Sequence, residues 1–223
     1  HMCLLCYISP GAPINWEGLE NACDNNPDGF GWSIHHGDRI QMGRHMDATD
    51  ALNSFAKARA AAPNTQAMFH ARWATHGAED LTNVHPFIVD TGEEYREGRT
   101  VLAHNGILPV SIPKGDTRSD TRFFAEEIVK LRANRLWDRS DKVSKLEKWM
   151  GGSKFVIFTT EPQYSRDFYI VNEHLGHWDE GTWWSNDSYE FSWKNWRSRY
   201  DDKVGWGNVT AKTTGSDDDT LAD

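Results

Sequence analysis

Apolar positions 3–8 form a short continuous run, which suits a buried strand. A short helix follows through Trp16, Leu19 and Cys23 and stops at Asn25, Asn26 and Pro27. Segments 30–36 and 39–42 flank Gly37-Asp38, a turn signal that predicts a hairpin. The next helix is capped by Asp47, Thr49 or Asp50, shows one face of Leu52, Phe55 and Ala56, and stops at Pro63. Segments 67–72 and 100–104 read as strands around a polar loop with a Glu93-Glu94 tip. A second long helix starts near 119–121, with Phe124, Ile128 and Leu131 on one face, and a third runs over 142–150 to Gly151-Gly152. Segments 154–159 and 167–171 read as strands, and 182–185 as one more. Helices and strands are mixed without a βαβ beat, so a simple doubly wound sheet is not favoured.

Composition adds three constraints. Leu, Ile, Val and Phe make up 42 of 223 residues, a little under the one fifth at which disorder becomes a live reading. The 11 Trp and 6 Tyr argue the other way, because aromatic rings bury the most surface per residue. The chain therefore reads as a folded, aromatic-rich domain. The segment from about Thr210 onward is the exception, and reads as disordered: residues 201–223 hold six Asp and two Lys with no apolar period. Residues 3–200 make one domain, and 201–223 an acidic tail. His1-Met2 has the look of a cloning remnant ahead of a natural start.

The net charge of −9 argues against a nucleic-acid partner. No apolar run reaches membrane-spanning length. Three cysteines cannot frame a disulfide scaffold, which favours a reducing, cytoplasmic setting. Cys3 and Cys6 form a C-x-x-C pattern, but residues three apart on a strand face opposite ways, so no metal or redox pair is expected. His70, His76, His85 and His104 lack short ligand spacing, and no metal or cofactor is expected.

Four sequence features carry chemistry. If Met2 is removed, Cys3 becomes the first residue, and its α-amine, with a pKa near 8, can act as base for its own thiol. The plainer reading is a buried strand cysteine. Arg72, at a strand end, offers a planar fork suited to a carboxylate, and Thr75 and His76 can present hydroxyl and backbone groups. The plainer reading is a structural Arg and a turn at Gly77. Asn105-Gly106 is a strong hairpin signal, or else an oxyanion hole made of the Asn105 amide and the open Gly106 N–H. Asp120 is either a helix cap or the acceptor for a substrate ammonium. Arg72 and Asp120 together would grip both charges of a free α-amino acid.

Met-Cys at the start, Asn26-Pro-Asp-Gly-Phe-Gly31, His70-Ala-Arg-Trp-Ala-Thr-His-Gly77, Asn83-Val-His-Pro-Phe87, His104-Asn-Gly-Ile107 and Ser119-Asp-Thr121 occur in that order. In this the chain resembles the class II glutamine amidotransferases, which are N-terminal-nucleophile hydrolases, and within them the short standalone type. Leu4-Leu5 and Asn25-Asn26 depart from the common pattern. The resemblance implies an α+β fold, a four-layer αββα sandwich. It implies Cys3 as nucleophile, Asn105 and Gly106 as oxyanion hole, Arg72 as carboxylate clamp and Asp120 as ammonium partner. Trp73, Thr75 and His76 fall in the glutamine-binding segment. The implied reaction passes through a γ-glutamyl thioester and releases ammonia and glutamate. The ammonia would pass to a separate synthase or ligase.

Two alternatives stand beside it. One is a hydrolase of γ-glutamyl compounds without ammonia transfer. The other is a non-catalytic binding module using the Trp-rich region 178–206, where 193–200 interleaves aromatic and basic residues.

Overall fold

A computed structural model of the chain describes residues 3–89, 99–129 and 135–192. The Glu93-Glu94 tip, Leu131, the 193–200 segment and the acidic tail lie outside the described residues.

Strand β1 (Leu4–Ile8) leads to helix α1 (Trp16–Asn25), whose first turn is capped by the Asn15 side chain accepting from Gly18 N at 2.8 Å. Strands β2 (Phe30–His35) and β3 (Ile40–His45) form the expected hairpin, with β3 running three residues further than the sequence suggests. Helix α2 (Ala48–Ala61) is capped by Asp47, whose Oδ1 accepts from Asp50 N at 3.0 Å. Then come β4 (Gln66–Ala71), the short β5 (Phe87–Ile88) and β6 (Thr100–Asn105).

Helix α3 (Asp120–Phe123) continues as a wider turn through Ile128. It is capped by Ser119, whose Oγ accepts from Arg122 N at 3.1 Å, so Asp120 is released from the capping role it could have had. Helix α4 (Ser140–Met150), β7 (Lys154–Thr159), β8 (Phe168–Val171), β9 (His177–Asp179) and β10 (Thr182–Trp184) complete the described chain. Strand β9 has no signal in the sequence: three residues with two exposed give no alternation to read.

The strands form two antiparallel sheets, in the orders β3-β2-β4-β1-β10-β9 and β5-β6-β7-β8. Alternate residues of each strand face opposite ways, and this builds four layers. Leu4, Cys6 and Ile8 of β1 face helices α1 and α2, packing with Leu19, Phe55 and Phe69. Leu5 and Tyr7 face the second sheet and pack with Val101, Val156 and Phe158. The far side of that sheet packs Leu102, Phe155 and Ile157 against Phe124, Trp137 and Met150. The order is helices, sheet, sheet, helices, as the resemblance implies. Trp183 and Trp184 are core residues of β10, which answers part of the Trp excess. Trp178 is 47% exposed.

The Asn105-Gly106 pair does not close a hairpin. Strand β6 pairs with β5 and β7 instead. Among the described residues, no helix is long and apolar enough to cross a membrane.

Three buried imidazoles lie close together, with His104 on the side of β6 that Leu102 turns toward the helices. His70 of β4 stacks on His85 with ring centroids 3.9 Å apart, and His104 of β6 lies 6.5 Å from His85. His70 and His104 each make one ring hydrogen bond, to His104 O at 2.9 Å and to Thr121 Oγ1 at 2.7 Å. Among the described residues, His85 Nδ1 and Nε2 have no hydrogen-bond partner. Burial is the chief cause that holds all three neutral: His70 is pushed down to about 3, His104 to about 4, and His85 well below its ordinary value of 6.5.

The sign of the pH effect follows. Above pH 6.5 these histidines are neutral both folded and unfolded. Below it the unfolded chain takes up protons that the folded state refuses, so stability falls and levels off only beneath the folded values. Each pH unit of depression is worth about 1.4 kcal/mol. The urea midpoint is therefore expected to drop steeply between pH 6.5 and 4. Replacing the unpartnered ring by His85→Phe is expected to keep stability at pH 7 and flatten that drop.

Candidate active site

Cys3 stands at the start of β1, on the same side as Leu5 and Tyr7 and opposite to Cys6, so the two thiols do not converge. Among the described residues no group of three or more His, Cys, Asp or Glu could hold a metal ion. The Cys3 thiol is bracketed by one backbone segment: Trp73 N–H donates to Sγ at 3.2 Å, and Sγ lies 3.4 Å from Trp73 O. The Cys3 carbonyl accepts from Asn186 Nδ2 at 2.9 Å, a contact across 183 residues. Burial pushes the thiol up to about 11, against the Trp73 N–H and the Arg72 charge, which pull it down; Asp120 pushes it up further.

A cavity of about 340 Å³ opens at Cys3, lined by Trp73, Thr75, Gly106, Ile107, Met150, Gly152 and Ser153. Its size is that of a small-molecule site. Four residues singled out in the sequence thus meet there: Cys3, Trp73, Thr75 and Gly106. Arg72, His76, Asn105 and Asp120 are not among the residues that line it.

Arg72 is buried, and its guanidinium donates to His76 O at 3.0 Å and Ala78 O at 3.2 Å, curling the 74–78 loop around itself. The loop is tied to the Asp28-Gly29 turn, for Asp28 Oδ2 accepts from Ala74 N at 2.7 Å and Gly29 O from Arg72 N at 2.8 Å. Gly77, at φ +79°, lies so close to Ser119 that a Cβ there would meet its backbone N at 2.7 Å. Asn83 bridges the same two segments, donating to Ala78 O and Thr117 O and accepting from Ser119 N at 2.7 Å. His76 is exposed, with its ring 3.3 Å from Thr75 Oγ1.

Asn105 is 1% exposed. Its Nδ2 donates to Ser185 Oγ at 2.7 Å, and among the described residues its Oδ1 has no hydrogen-bond partner. Gly106 follows at φ +137°, a conformation that side chains resist, and a Cβ there would come within 2.2 Å of Ser153 Oγ. The peptide unit between Ile107 and Leu108 is held at both ends. Ser153 Oγ donates to Ile107 O at 3.0 Å, and Leu108 N donates to Asp120 Oδ2 at 2.7 Å. Asp120 Oδ1 also accepts from Thr121 N at 2.7 Å. Asp120 is buried and fixes the loop that carries Gly106.

Sequence reasoning missed Ser153, Met150, Ser185 and Asn186 at this site. Gly151-Gly152 marked a helix end, and that end is one wall of the cavity.

Gly106→Ala is expected to displace the 105–108 loop or Ser153, because both φ and space oppose a Cβ. A loss of thermal stability of several degrees, with slower alkylation or activity at Cys3, checks this. Gly152→Ala, where a Cβ meets nothing within 4 Å, is expected to leave stability nearly unchanged.

No protein-family model matches the chain. It is 33% identical over 112 residues to glutamine–fructose-6-phosphate aminotransferase (isomerizing) from Gluconobacter oxydans; the match covers 48% of this chain and 17% of that protein. Its fold is similar to glutamine phosphoribosylpyrophosphate amidotransferase from B. subtilis, solved with ADP and GMP, with a TM-score of 0.55, 19% identity, and coverage of 85% of this chain and 42% of the other. A weaker match, at TM-score 0.36 and 14% identity, is a predicted glutamine amidotransferase from Pseudomonas aeruginosa, covering 82% of this chain and 81% of that one. The chain thus spans about a sixth of the curated relative and less than half of the B. subtilis enzyme. The fold is thus similar to that of the B. subtilis amidotransferase.

Proposed function

We propose that this chain is a glutamine amidotransferase domain in which Cys3 is the nucleophile. The observation that carries the reading is the meeting of the Cys3 thiol and the Gly106 backbone at one small cavity, on this fold. The Cys3 sulfur attacks the side-chain amide carbon of glutamine. The carbonyl oxygen becomes an oxyanion, taken up by the Gly106 N–H and the Asn105 amide. Collapse of the tetrahedral intermediate, with a proton delivered to the nitrogen, expels ammonia and leaves a γ-glutamyl thioester. Water cleaves the thioester to glutamate and restores the thiol.

Trp73 and Thr75 line the substrate's place. Arg72 and Asp120 supply charges of opposite sign for the carboxylate and ammonium. Arg72 uses two of its five donor hydrogens on the loop carbonyls, which leaves three for a substrate.

The sulfur needs a base, because burial opposes thiolate formation. Among the described residues its hydrogen-bond partners are backbone groups of Trp73. The α-amine of a terminal Cys3 meets the need, within a few ångströms of the thiol by covalent structure. The ammonia acceptor is proposed to be a synthase or ligase outside the described residues.

A form beginning at Cys3 is expected to release ammonia from glutamine. A form retaining Met2, whose Cys3 nitrogen is an amide, is expected to be about 10²–10⁴ slower, the usual worth of a positioned general base. Intact mass identifies each form, and an ammonia assay measures both. Equal rates would overturn the self-base mechanism. Loss of ammonia release in Cys3→Ala separates catalysis from a binding module. Cleavage of γ-glutamyl compounds substituted on the amide nitrogen, at rates matching glutamine, would favour the hydrolase without ammonia transfer.

A further inference from the structure

Ser185 lies just past β10, buried, and bonds three ways at the junction of the two sheets. Its backbone N donates to Leu5 O at 2.9 Å, and its Oγ accepts from Leu5 N at 2.9 Å. This pins it to β1 two residues beyond Cys3. The same Oγ accepts from Asn105 Nδ2 at 2.7 Å, at the end of β6 in the other sheet.

The hydrogen-bond arithmetic of this pair is unbalanced. A hydroxyl has one donor and two acceptor positions. Ser185 Oγ uses both acceptor positions, which leaves its proton spare. Asn105 Oδ1, 1% exposed as a residue, is an acceptor with no donor. A half turn of the Asn105 amide about its Cβ–Cγ bond resolves both, since that torsion is broad and nearly two-fold. Ser185 O–H then donates to Oδ1, and the amide NH₂ takes the place of the unpartnered oxygen. Two N–H donors are then buried beside Gly106 with no protein partner, which is what a developing oxyanion requires. The Ser185 hydroxyl can accept from the amide or donate to it, but only the turned amide uses the Ser185 proton and gives Oδ1 a donor.

We propose that Ser185 is a positioning residue for the oxyanion hole, its hydroxyl selecting the Asn105 amide orientation that presents N–H to the substrate oxygen. This rests on the glutaminase reading above and adds a residue that touches neither substrate nor sulfur.

The test uses the full chain beginning at Cys3. In Ser185→Ala the amide loses the partner that sets its orientation. Loss of one oxyanion donor typically costs about 10²–10³ in kcat, and loss of its positioning about ten- to a hundredfold. KM for glutamine is expected to stay within about twofold. The γ-aldehyde of glutamate, which adds Cys3 sulfur to form a tetrahedral adduct, is expected to bind weaker by the same factor as kcat falls. Inhibition by glutamate, which has no such adduct, is expected to be unchanged. Ser185→Thr keeps the hydroxyl and is expected to restore most activity. Ser185→Cys, with a weak hydrogen-bonding sulfur, is expected to behave like Ala and is measured instead if Ala does not fold.

Unchanged kcat and aldehyde affinity in an active enzyme would overturn this role alone. So would a parallel loss of aldehyde and glutamate binding, the mark of a merely structural residue. An unsubstituted enzyme that neither releases ammonia nor binds the aldehyde would overturn the glutaminase reading and this role with it.

Discussion

Strand β1 is the constraint on which the site depends. It is paired along both edges, with β4 and β10, and buried on both faces. Its register is therefore fixed four times over. A slip of one residue would exchange Leu4, Cys6 and Ile8 with Leu5 and Tyr7, and each set is shaped for its own layer. The same slip would turn the side of Cys3 away from the cavity and toward the helices. The position of the Cys3 thiol is thus set by hydrophobic packing of the residues that follow it. The Asn186 bond to the Cys3 carbonyl then fixes the last free peptide.

Around that strand the loops are held by close approach more than by regular structure. A Cβ at Gly31 would sit 1.7 Å from His85 O, so β2 and the 83–87 segment touch backbone to backbone. Gly77 does the same against Ser119, and Gly106 against Ser153. These three glycines let short motifs scattered over the chain come together. Each motif supplies either a glycine that allows contact or the polar groups that satisfy the contacted backbone, as Asn83 does for residues 78, 117 and 119.

Much of this was legible in the sequence because periodicity is a local signal. The apolar run at β1, the α2 pattern ending at Pro63 and the hairpin at Gly37-Asp38 all reappear. The layer order was not periodic information; it came from motif order through the resemblance. What stayed hidden depends on long-range contact. Ser153 reaches Ile107 across 46 residues, Ser185 reaches Asn105 across 80, and Asn186 reaches Cys3 across 183. A lone Ser or Asn in a loop carries no pattern that announces such a bond. Asp120 shows a different limit. Ser119 and Asp120 are both good capping residues, and only geometry shows that Ser119 takes the cap while Asp120 turns inward to Leu108.

The electrostatics of the site narrow its chemistry further. Cys3 is held protonated by burial, and the nearby histidines are held neutral by the same cause. A proton would have to pass from a thiol near 11 to an imidazole near 3 or 4, far uphill. Their geometry agrees, since His70 and His104 are engaged with His104 O and Thr121 Oγ1 and none bonds the sulfur. The imidazoles are thus poor candidates for the base despite their number. An amine with a pKa near 8, attached to the same residue, is far better matched to the thiol. In the proposed mechanism the burial that opposes the thiolate makes a base on the same residue the shortest route for the proton.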